Sequence, residues 1–502
     1  PTRLALALLI AALALGGAGD LLLRATPWGL NATVATILLV GASALLVRRH
    51  GVRTGPATYS LAAAVLIIGM AFVHRDTRTL VALDLVALLV TLALAAAQLQ
   101  GRHIATLHPS GFLRTLFVGG WATIIGGLLL AAEDVRWEEL HQGRRFGGAR
   151  PIAVGVLLAI PLLVVFGALF ASADRVFGTA LERAIAFDIE SLMSHAVVVG
   201  VCTALAAGYL RWCLLVRSAS SGALGSTTSL GIVPVATALS LLNMLFLLFV
   251  AVQLRYFFGG AALVERTTGL TYAEYAREGF FQLFTAGVLT LPVILGASHA
   301  VRHEPARGIG IFRALAAVLL LLLAIIMIAA FERLRLYVGA YGLSEARLYA
   351  TAFMILLIGV FGWLAWTTLR GRGERFVAGA LVQAFAALLA LHLLNPDALI
   401  TRANLRRMAA GRPFDAAYAL SLSADAVPTL LRALPTLDPA GRCLVVDHLL
   451  ETWSGDAATD WRTWNWGRAH AVALVREQQD ALRAVPCPLR VRDEGDRPRR
   501  RP

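Results

Sequence analysis

Long apolar runs follow one another from the N-terminus to about residue 394. Each is about 20 residues long, enough for a helix to cross the hydrocarbon core of a bilayer. Charged residues fall in short clusters between the runs, and no strand pattern is present, so the sequence predicts an all-α polytopic transmembrane helix bundle. The eleven strong candidates for crossings are Leu4–Leu23, Leu30–Val47, Ala57–Val73, Leu80–Ala97, Ile152–Ala171, Ser194–Leu214, Ile232–Val252, Phe281–His299, Ile311–Ala330, Ala346–Leu369 and Val377–Leu394.

Composition agrees with a membrane protein and excludes several other classes. Only 15% of the residues are charged, against about 25% in soluble domains. All 45 basic residues are Arg and none is Lys, which indicates a GC-rich bacterial genome. The net charge of +14 is typical of loops facing anionic lipid and gives no reason to expect nucleic acid. The first run has no clear cleavage site, so we expect no cleavable signal peptide.

A twelfth, weaker run, Leu116–Ala132, contains four glycines, which are poor helix formers. If it crosses, the arginines of the loops divide almost equally between the two sides. If it does not cross, one side is clearly richer in arginine, as the positive-inside rule requires. We therefore expect eleven crossings with Leu116–Ala132 re-entrant or interfacial, a cytoplasmic N-terminus and an extracytoplasmic C-terminal domain.

The chain divides into three predicted parts. Residues 1–394 form the transmembrane domain, residues 395–485 a helical extramembrane domain, and residues 486–502 a disordered basic tail. Asp397 is positioned to cap a helix running to about Ala410. Three amphipathic helices then follow at Asp415–Leu434, Pro439–Trp453 and Trp461–Val485.

Two polar segments on the predicted outer face are candidates for a functional site. In the first, Arg277 and Glu278 point into a cavity between spans, or they belong to an interfacial helix that also carries Gln282 and an aromatic belt. In the second, charged residues between two spans either form local ion pairs or serve function, since charge sunk between spans is costly. The second segment contributes Glu332, Arg335, Glu345 and Arg347.

Three polar side chains within the spans are further candidates. Asp84 has no obvious partner nearby in sequence, which is typical of a proton relay or ion site. Asn243 and Gln253 would lie with it along a transport path. His299 and His303 have metal-ligand spacing but no third ligand, so we expect neither a metal site nor a cofactor.

Cysteines and tryptophans are concentrated in the C-terminal domain. Cys443 and Cys487 can form a disulfide if that domain lies outside the cytoplasm. The tryptophans either pack in the core or dock against the headgroup layer of the bilayer. They are Trp453, Trp461, Trp464 and Trp466.

Several stretches together resemble a bacterial multi-pass family of unknown function, DUF4173, which is close to DUF4153. They are Phe170–Phe177 (FASADRVF), Thr271–Leu283 (TYAEYAREGFFQL), Leu336–Tyr349 (LYVGAYGLSEARLY), Asn395–Asn404 (NPDALITRAN) and Asp415–Leu430 (DAAYALSLSADAVPTL). The resemblance implies a polytopic plasma-membrane protein and supplies no reaction. The matched polar positions lie mainly on the predicted outer face, which suggests one external site roofed by the C-terminal domain. They are Arg277, Glu278, Gln282, Arg335, Tyr341, Glu345, Arg347, Asn395, Asp397, Arg402 and Asn404.

Three functions remain open from the sequence. The first is transport of a small solute or ion along Asp84, Asn243 and Gln253. The second is an envelope enzyme for a lipid-linked or phosphorylated substrate, with Arg277, Arg335 and Arg347 binding phosphate and Glu278 or Glu345 as base. The third is a sensor or scaffold that binds a protein partner through its C-terminal domain. No P-loop or nucleophile elbow is present, which argues against an ATPase or a conventional hydrolase.

Overall fold

The computed structural model describes residues 2–102, 108–135, 189–216, 231–268, 272–455 and 460–487, and for residues 254–281 it describes the backbone alone. Among these residues the chain is helical with no strand, as predicted. Eleven of the helices are long and apolar enough to cross a membrane. The helices of the bundle are α1 (Thr2–Leu23), α2 (Leu30–Arg49), α3 (Pro56–His74), α4 (Arg78–Leu99), α5 (Pro109–Leu129), α6 (Ile189–Leu214), α7 (Ile232–Thr268), α8 (Tyr272–Ala300), α9 (Ala306–Tyr341), α10 (Glu345–Leu369) and α11 (Phe376–Leu394).

The eleven observed helices are not the eleven expected. The run Leu116–Ala132 lies in a continuous helix that extends through a π-helical turn to Asp134 and meets the length and hydropathy of a span. The expectation of a re-entrant or interfacial segment is therefore not supported. Its glycines are tolerated because they pack tightly: Gly126 and Gly127 lie against Gly208 and Ala204 of α6. The expected span Ile152–Ala171 and the loop Ser172–Met193 lie outside the described residues, apart from the end of that loop in α6.

Two segments predicted as outer loops are largely helical. Helix α7 extends to Thr268 and α8 begins at Tyr272, across the predicted loop Arg255–Gly279. Helix α9 continues to Tyr341 and ends at Gly342, which has a φ of 83°. No proline lies in the added turns of α7, α8 and α9, so nothing in the sequence stops these helices at the predicted ends of the spans.

Contacts between helix ends show which ends share a face of the bundle. One face, here called the roofed face, carries the loops after α1, α3 and α9, all of which bond to the C-terminal helices. At the opposite face His108 lies 4.0 Å from Glu374, and Glu304 accepts from the backbone N–H of Ile232 at 3.2 Å. Helix α4 ends at that opposite face, where the Gln100 amide donates to the Trp212 carbonyl at 2.6 Å.

Helix α6 begins at the roofed face, because His195 near its start lies 2.6 Å from Asp20 near the end of α1. The chain leaves α4 at the opposite face and enters α6 at the roofed face. It therefore passes from one face to the other an odd number of times between these two helices, and α5 lies in that interval. Counting onward through α7 to α11 places the C-terminal helices at the opposite end of the bundle from Thr2.

The C-terminal helices have their own apolar core, around Val445, Val446, Leu449 and Val475. The first of them is capped by Asn395, whose side chain accepts from the Ala398 N–H, and not by Asp397 as expected. The predicted helix Asp415–Leu434 is broken near Ser423, while Pro439–Trp453 is observed as predicted. These helices are α12 (Pro396–Ala409), α13 (Ala416–Leu420), α14 (Val427–Ala433), α15 (Pro439–Trp453), α16 (Trp466–Glu477) and α17 (Gln479–Arg483).

Candidate functional site

A carboxylate and an imidazole meet inside the bundle near its roofed face. Asp84 is in the second turn of α4 and is 1% exposed, and His392 is in the last turn of α11 and is 7% exposed. Their Oδ1 and Nε2 atoms are 2.9 Å apart. Ionisable side chains at this depth are costly and are a functional site by default. An aspartate and a histidine brought together inside the bundle are therefore candidates for a functional pair.

The first C-terminal helix places a second carboxylate above this pair. Asp397 is 1% exposed, and its Oδ2 accepts from Thr77 Oγ1 at 3.0 Å and from Ser423 N–H at 3.0 Å and Oγ at 2.5 Å. These donors are neutral. Burial raises the pKa of Asp397 above its ordinary value, and the hydrogen bonds from Ser423 and Thr77 oppose that rise only in part. The carboxyl is therefore poised to exchange a proton.

Three buried polar atoms around these carboxylates have no hydrogen-bond partner among the described residues: His392 Nδ1, Asp397 Oδ1 and the Tyr349 hydroxyl. Asp84, Glu345 and Asp397 all act electrostatically on the Tyr349 hydroxyl. An unsatisfied buried polar atom costs about 1–3 kcal/mol, so three at one place mark a site for a small polar ligand. We call this site the polar junction; its residues are Thr77, Asp84, Tyr349, His392, Asp397, Ser423 and Asp425.

The short loop between α3 and α4 closes one side of the polar junction. Arg75 donates through Nε to the His392 carbonyl at 3.0 Å and lies 3.4 Å from Asp425. Asp425 also accepts from the Asp76 N–H at 2.8 Å, and Asp76 forms an ion pair with Arg468 of α16. Burial raises the pKa of Asp76, and Arg468 opposes the rise. Asp425 is thus paired with an arginine, whereas Asp84 and Asp397 pair with neutral or titratable groups among the described residues.

The loop between α9 and α10 closes the other side. Asn404 holds Leu343 through both backbone groups, accepting from its N–H at 2.9 Å and donating to its carbonyl at 2.8 Å. The Glu345 N–H donates to the Tyr418 hydroxyl at 2.8 Å. At Gly342 a side chain would be strained by the positive φ, and its Cβ would lie 2.7 Å from Asn404 Oδ1. The C-terminal helices therefore roof the polar junction from two sides.

The residues of the polar junction coincide with the part of the chain that a known family describes. The family described as "Domain of unknown function (DUF4153)" matches residues 61–433. The chain belongs to the DUF4153 family. The resemblance seen in the sequence had suggested DUF4173, whereas the family that matches is DUF4153. Both are families of unknown function. No curated protein and no solved structure matches the chain. The whole junction of this DUF4153 protein lies inside the matched range, while α1, α2 and α16 lie outside it.

Two of the three arginines expected to bind phosphate, Arg335 and Arg347, are engaged in local contacts in this DUF4153 protein. Arg347 donates to the Gly342 carbonyl at 2.6 Å and stacks 4.3 Å from the centre of the Tyr337 ring, so it caps α9. Arg335 pairs with Glu332 at 2.9 Å on the surface. Arg402 donates to the carbonyl of Ala398 in its own helix. The side chains of Arg277 and Glu278 lie outside the described residues.

The remaining candidates lie apart from one another. Tyr341 is exposed beside the capping Arg347, Gln282 is exposed on α8, and Asn395 caps α12. Asn243 donates to the Leu315 carbonyl at 3.0 Å, which joins α7 to α9. Gln253 accepts from Arg333 at 2.7 Å, again between α7 and α9, whereas Asp84 contacts α11. A common path through Asp84, Asn243 and Gln253 therefore stays a prediction.

The structure also pairs the two cysteines of the C-terminal helices. Cys443 and Cys487 form a disulfide, with their Cα atoms 5.5 Å apart. Among the described residues no group of three or more His, Cys, Asp or Glu could hold a metal ion.

Sequence reasoning found Asp84 and Asp397 but missed the other residues of the polar junction. His392 was the available signal, because a histidine inside an apolar span is as unusual as an aspartate. Thr77, Ser423, Asp425 and Tyr349 carry no such signal, since threonine, serine, aspartate and tyrosine are common at helix ends.

Proposed function

We propose that the protein is a membrane transporter that moves a small monovalent cation, Na⁺ or K⁺, through the polar junction in exchange for protons. The observation that carries this proposal is the set of three unpartnered buried atoms, on His392, Asp397 and Tyr349. They lie beside Asp84 and Asp397, which form no ion pair with arginine among the described residues.

The chemistry of the polar junction favours a hard cation. Carboxylate and hydroxyl oxygens are the ligands that such ions take. Asp84 contacts His392, and Asp397 contacts Thr77 and Ser423, so both carboxylates remain available to a cation.

Proton exchange follows from the same groups. A carboxylate that holds a proton no longer attracts a cation. Proton and cation therefore compete for the junction. That competition is the property an exchanger needs, because the two ions then occupy the site in alternation.

The orientation that we propose places the C-terminal helices outside the cytoplasm. The loops of the face opposite the roof carry clustered arginines, including Arg48, Arg49, Arg370 and Arg372, as the positive-inside rule expects of a cytoplasmic face. The disulfide between Cys443 and Cys487 agrees with an oxidising compartment.

The two other functions have less support. An envelope enzyme would need arginines that converge on a phosphate, and Arg335 and Arg347 are engaged elsewhere. A scaffold would use the polar side chains of the C-terminal helices for a partner, whereas several of them, including Asp397 and Asn404, bind the loops of the bundle. Both stay predictions from the sequence.

Proton movement in liposomes tests the proposal. We would reconstitute the full chain with a pH-sensitive dye trapped inside and impose a gradient of Na⁺ or K⁺. The wild type should move protons against the cation. Asp84→Asn and His392→Gln should abolish the signal, because neither variant keeps the titrating pair.

Asp20→Asn is the matched control, since it removes the carboxylate of another aspartate–histidine pair, Asp20 and His195, that lies apart from the polar junction. This variant should keep the activity. A wild type that moves no protons under either gradient, or an Asp84→Asn variant as active as the wild type, would overturn the proposal.

A further inference from the structure

Three exposed tryptophans lie in one stretch of six residues, 461–466, among the C-terminal helices. Trp461 is 56% exposed and Trp466 is 58% exposed, and Trp464 between them is partly exposed. We call them the tryptophan surface. Exposing the large apolar surface of an indole to water is unfavourable. In membrane proteins, tryptophan is concentrated at the boundary between lipid and water.

The backbone of this segment is fastened to the ends of two spans. The Leu30 N–H, at the start of α2, donates to the Trp464 carbonyl at 2.8 Å. Arg462 donates to the Leu21 carbonyl, in the last turn of α1, at 2.7 Å. Gly29 lies so close to the Trp464 carbonyl that a Cβ there would collide with it. The tryptophan surface therefore lies at the height of the ends of α1 and α2.

The lipid-facing side of α1 continues toward this surface. Leu13 and Leu21 are both exposed on α1, and Arg462 binds the carbonyl of Leu21 itself. A span that exposes leucine up to its last turn meets the headgroup layer at that turn. The indole rings next to it are then placed where the apolar ring faces the acyl chains and the N–H faces the headgroups.

We propose that the tryptophan surface inserts into the headgroup layer of the bilayer and anchors the C-terminal helices to the membrane. The partner is the lipid surface itself. This contact is independent of cation transport. It fixes one edge of the roof over the polar junction, on the side where residues 461–464 meet the end of α1 and the start of α2.

Fluorescence quenching of the full chain in phosphatidylcholine nanodiscs tests the anchor. Lipids brominated near the carboxyl end of the acyl chain quench indoles at shallow depth, and iodide quenches indoles in water. Trp461→Phe and Trp466→Phe should each lower the share of emission that the shallow brominated lipid quenches. Trp453→Phe is the matched control, because Trp453 packs against the core of the C-terminal helices.

Three results would overturn the proposal. The emission of Trp461 and Trp466, obtained as the difference between the wild type and each variant, could be quenched by iodide and not by the brominated lipid, which would mean that the indoles are in water. This emission could also be quenched by neither iodide nor the brominated lipid, which would mean that protein covers the indoles. Trp453→Phe could lower the shallow quenching as much as the other two variants.

Discussion

Asn465 joins the C-terminal helices to the bundle, and replacing it should weaken the attachment of α16. The residue is 1% exposed and stands between the end of α3 and the start of α16. Its side-chain amide donates to the carbonyls of Phe72 at 2.9 Å and Arg75 at 3.0 Å, and its oxygen accepts from the Arg468 N–H at 3.2 Å. It therefore caps both helices at once, since helix ends leave such groups unpaired.

The expected loss can be worked out from these three bonds. Losing an N-cap costs about 1 kcal/mol, and losing each buried hydrogen bond to a carbonyl costs about 1–1.5 kcal/mol. Asn465→Ala should therefore weaken the attachment of α16 to the bundle by about 3–4 kcal/mol. Because every 1.4 kcal/mol is tenfold, opening should become roughly 100- to 1000-fold more frequent.

Hydrogen exchange in nanodiscs measures this opening. The amides of α16 and of Arg75–Thr77 should exchange faster in Asn465→Ala by that factor. Asp438→Ala is the matched control, because Asp438 is exposed and also caps its helix, α15, by accepting from the N–H three residues on. It should cost about 1 kcal/mol and speed exchange only in α15.

A second variant separates the two roles of Asn465. Asn465→Asp keeps an oxygen for the cap of α16 but cannot donate to the two carbonyls when ionised. It should loosen the attachment nearly as much as alanine does. The reasoning is refuted if exchange in Asn465→Ala is no faster than in Asp438→Ala, or if Asn465→Asp behaves like the wild type.

Three further predictions concern the polar junction, the disulfide and the packing of the bundle. Burial raises the pKa of Asp397 above its unfolded value, so the contribution of this carboxyl to stability is complete below the unfolded pKa of about 3.8 and is lost as pH rises through the higher folded pKa. Asp397→Asn should therefore make the unfolding midpoint fall less with rising pH. A pH profile identical to that of the wild type would contradict this prediction. Cys443→Ser should destabilise the C-terminal helices by about 4 kcal/mol, since the bond to Cys487 closes a loop of 44 residues, and a midpoint that reduction does not lower would contradict this. Gly208→Ala should cost about 1–3 kcal/mol because its Cβ would strike the backbone of α5, whereas Gly200→Ala, which meets nothing within 4 Å, should be neutral or stabilising; equal effects on thermal unfolding would contradict the packing.

The sequence predicted the helices well because the thickness of the bilayer alone dictates the length of an apolar run. Helix ends were less predictable. Helix α9 continues to Gly342 because the left-handed turn that stops it is a local backbone property, whereas the apolar run fades ten residues earlier. The glycines of α5 argued for a weak helix, but their close contact with α6 shows that tertiary packing overrides propensity.

The polar junction could be predicted only in part. Asp84 stood out because a carboxylate in a span is rare, yet its partner His392 lies 308 residues away, and nothing local to either residue links them. The resemblance drew attention to Asn395–Asn404 and Asp415–Leu430 without showing that they converge. Arg347 shows another limit: its charge suggested a phosphate site, whereas its contacts, which only the structure reveals, are with the carbonyls at the end of α9.

Proton release on cation binding tests the central claim most directly. Purified protein in a weakly buffered detergent solution at about pH 6–7 would receive NaCl or KCl, with choline chloride as the control for ionic strength. We expect the wild type to release protons on addition of Na⁺ or K⁺ and not of choline, and the double variant Asp84→Asn, Asp397→Asn to release none. No release from the wild type, or equal release from the double variant, would mean that the polar junction is not a site where protons and cations compete.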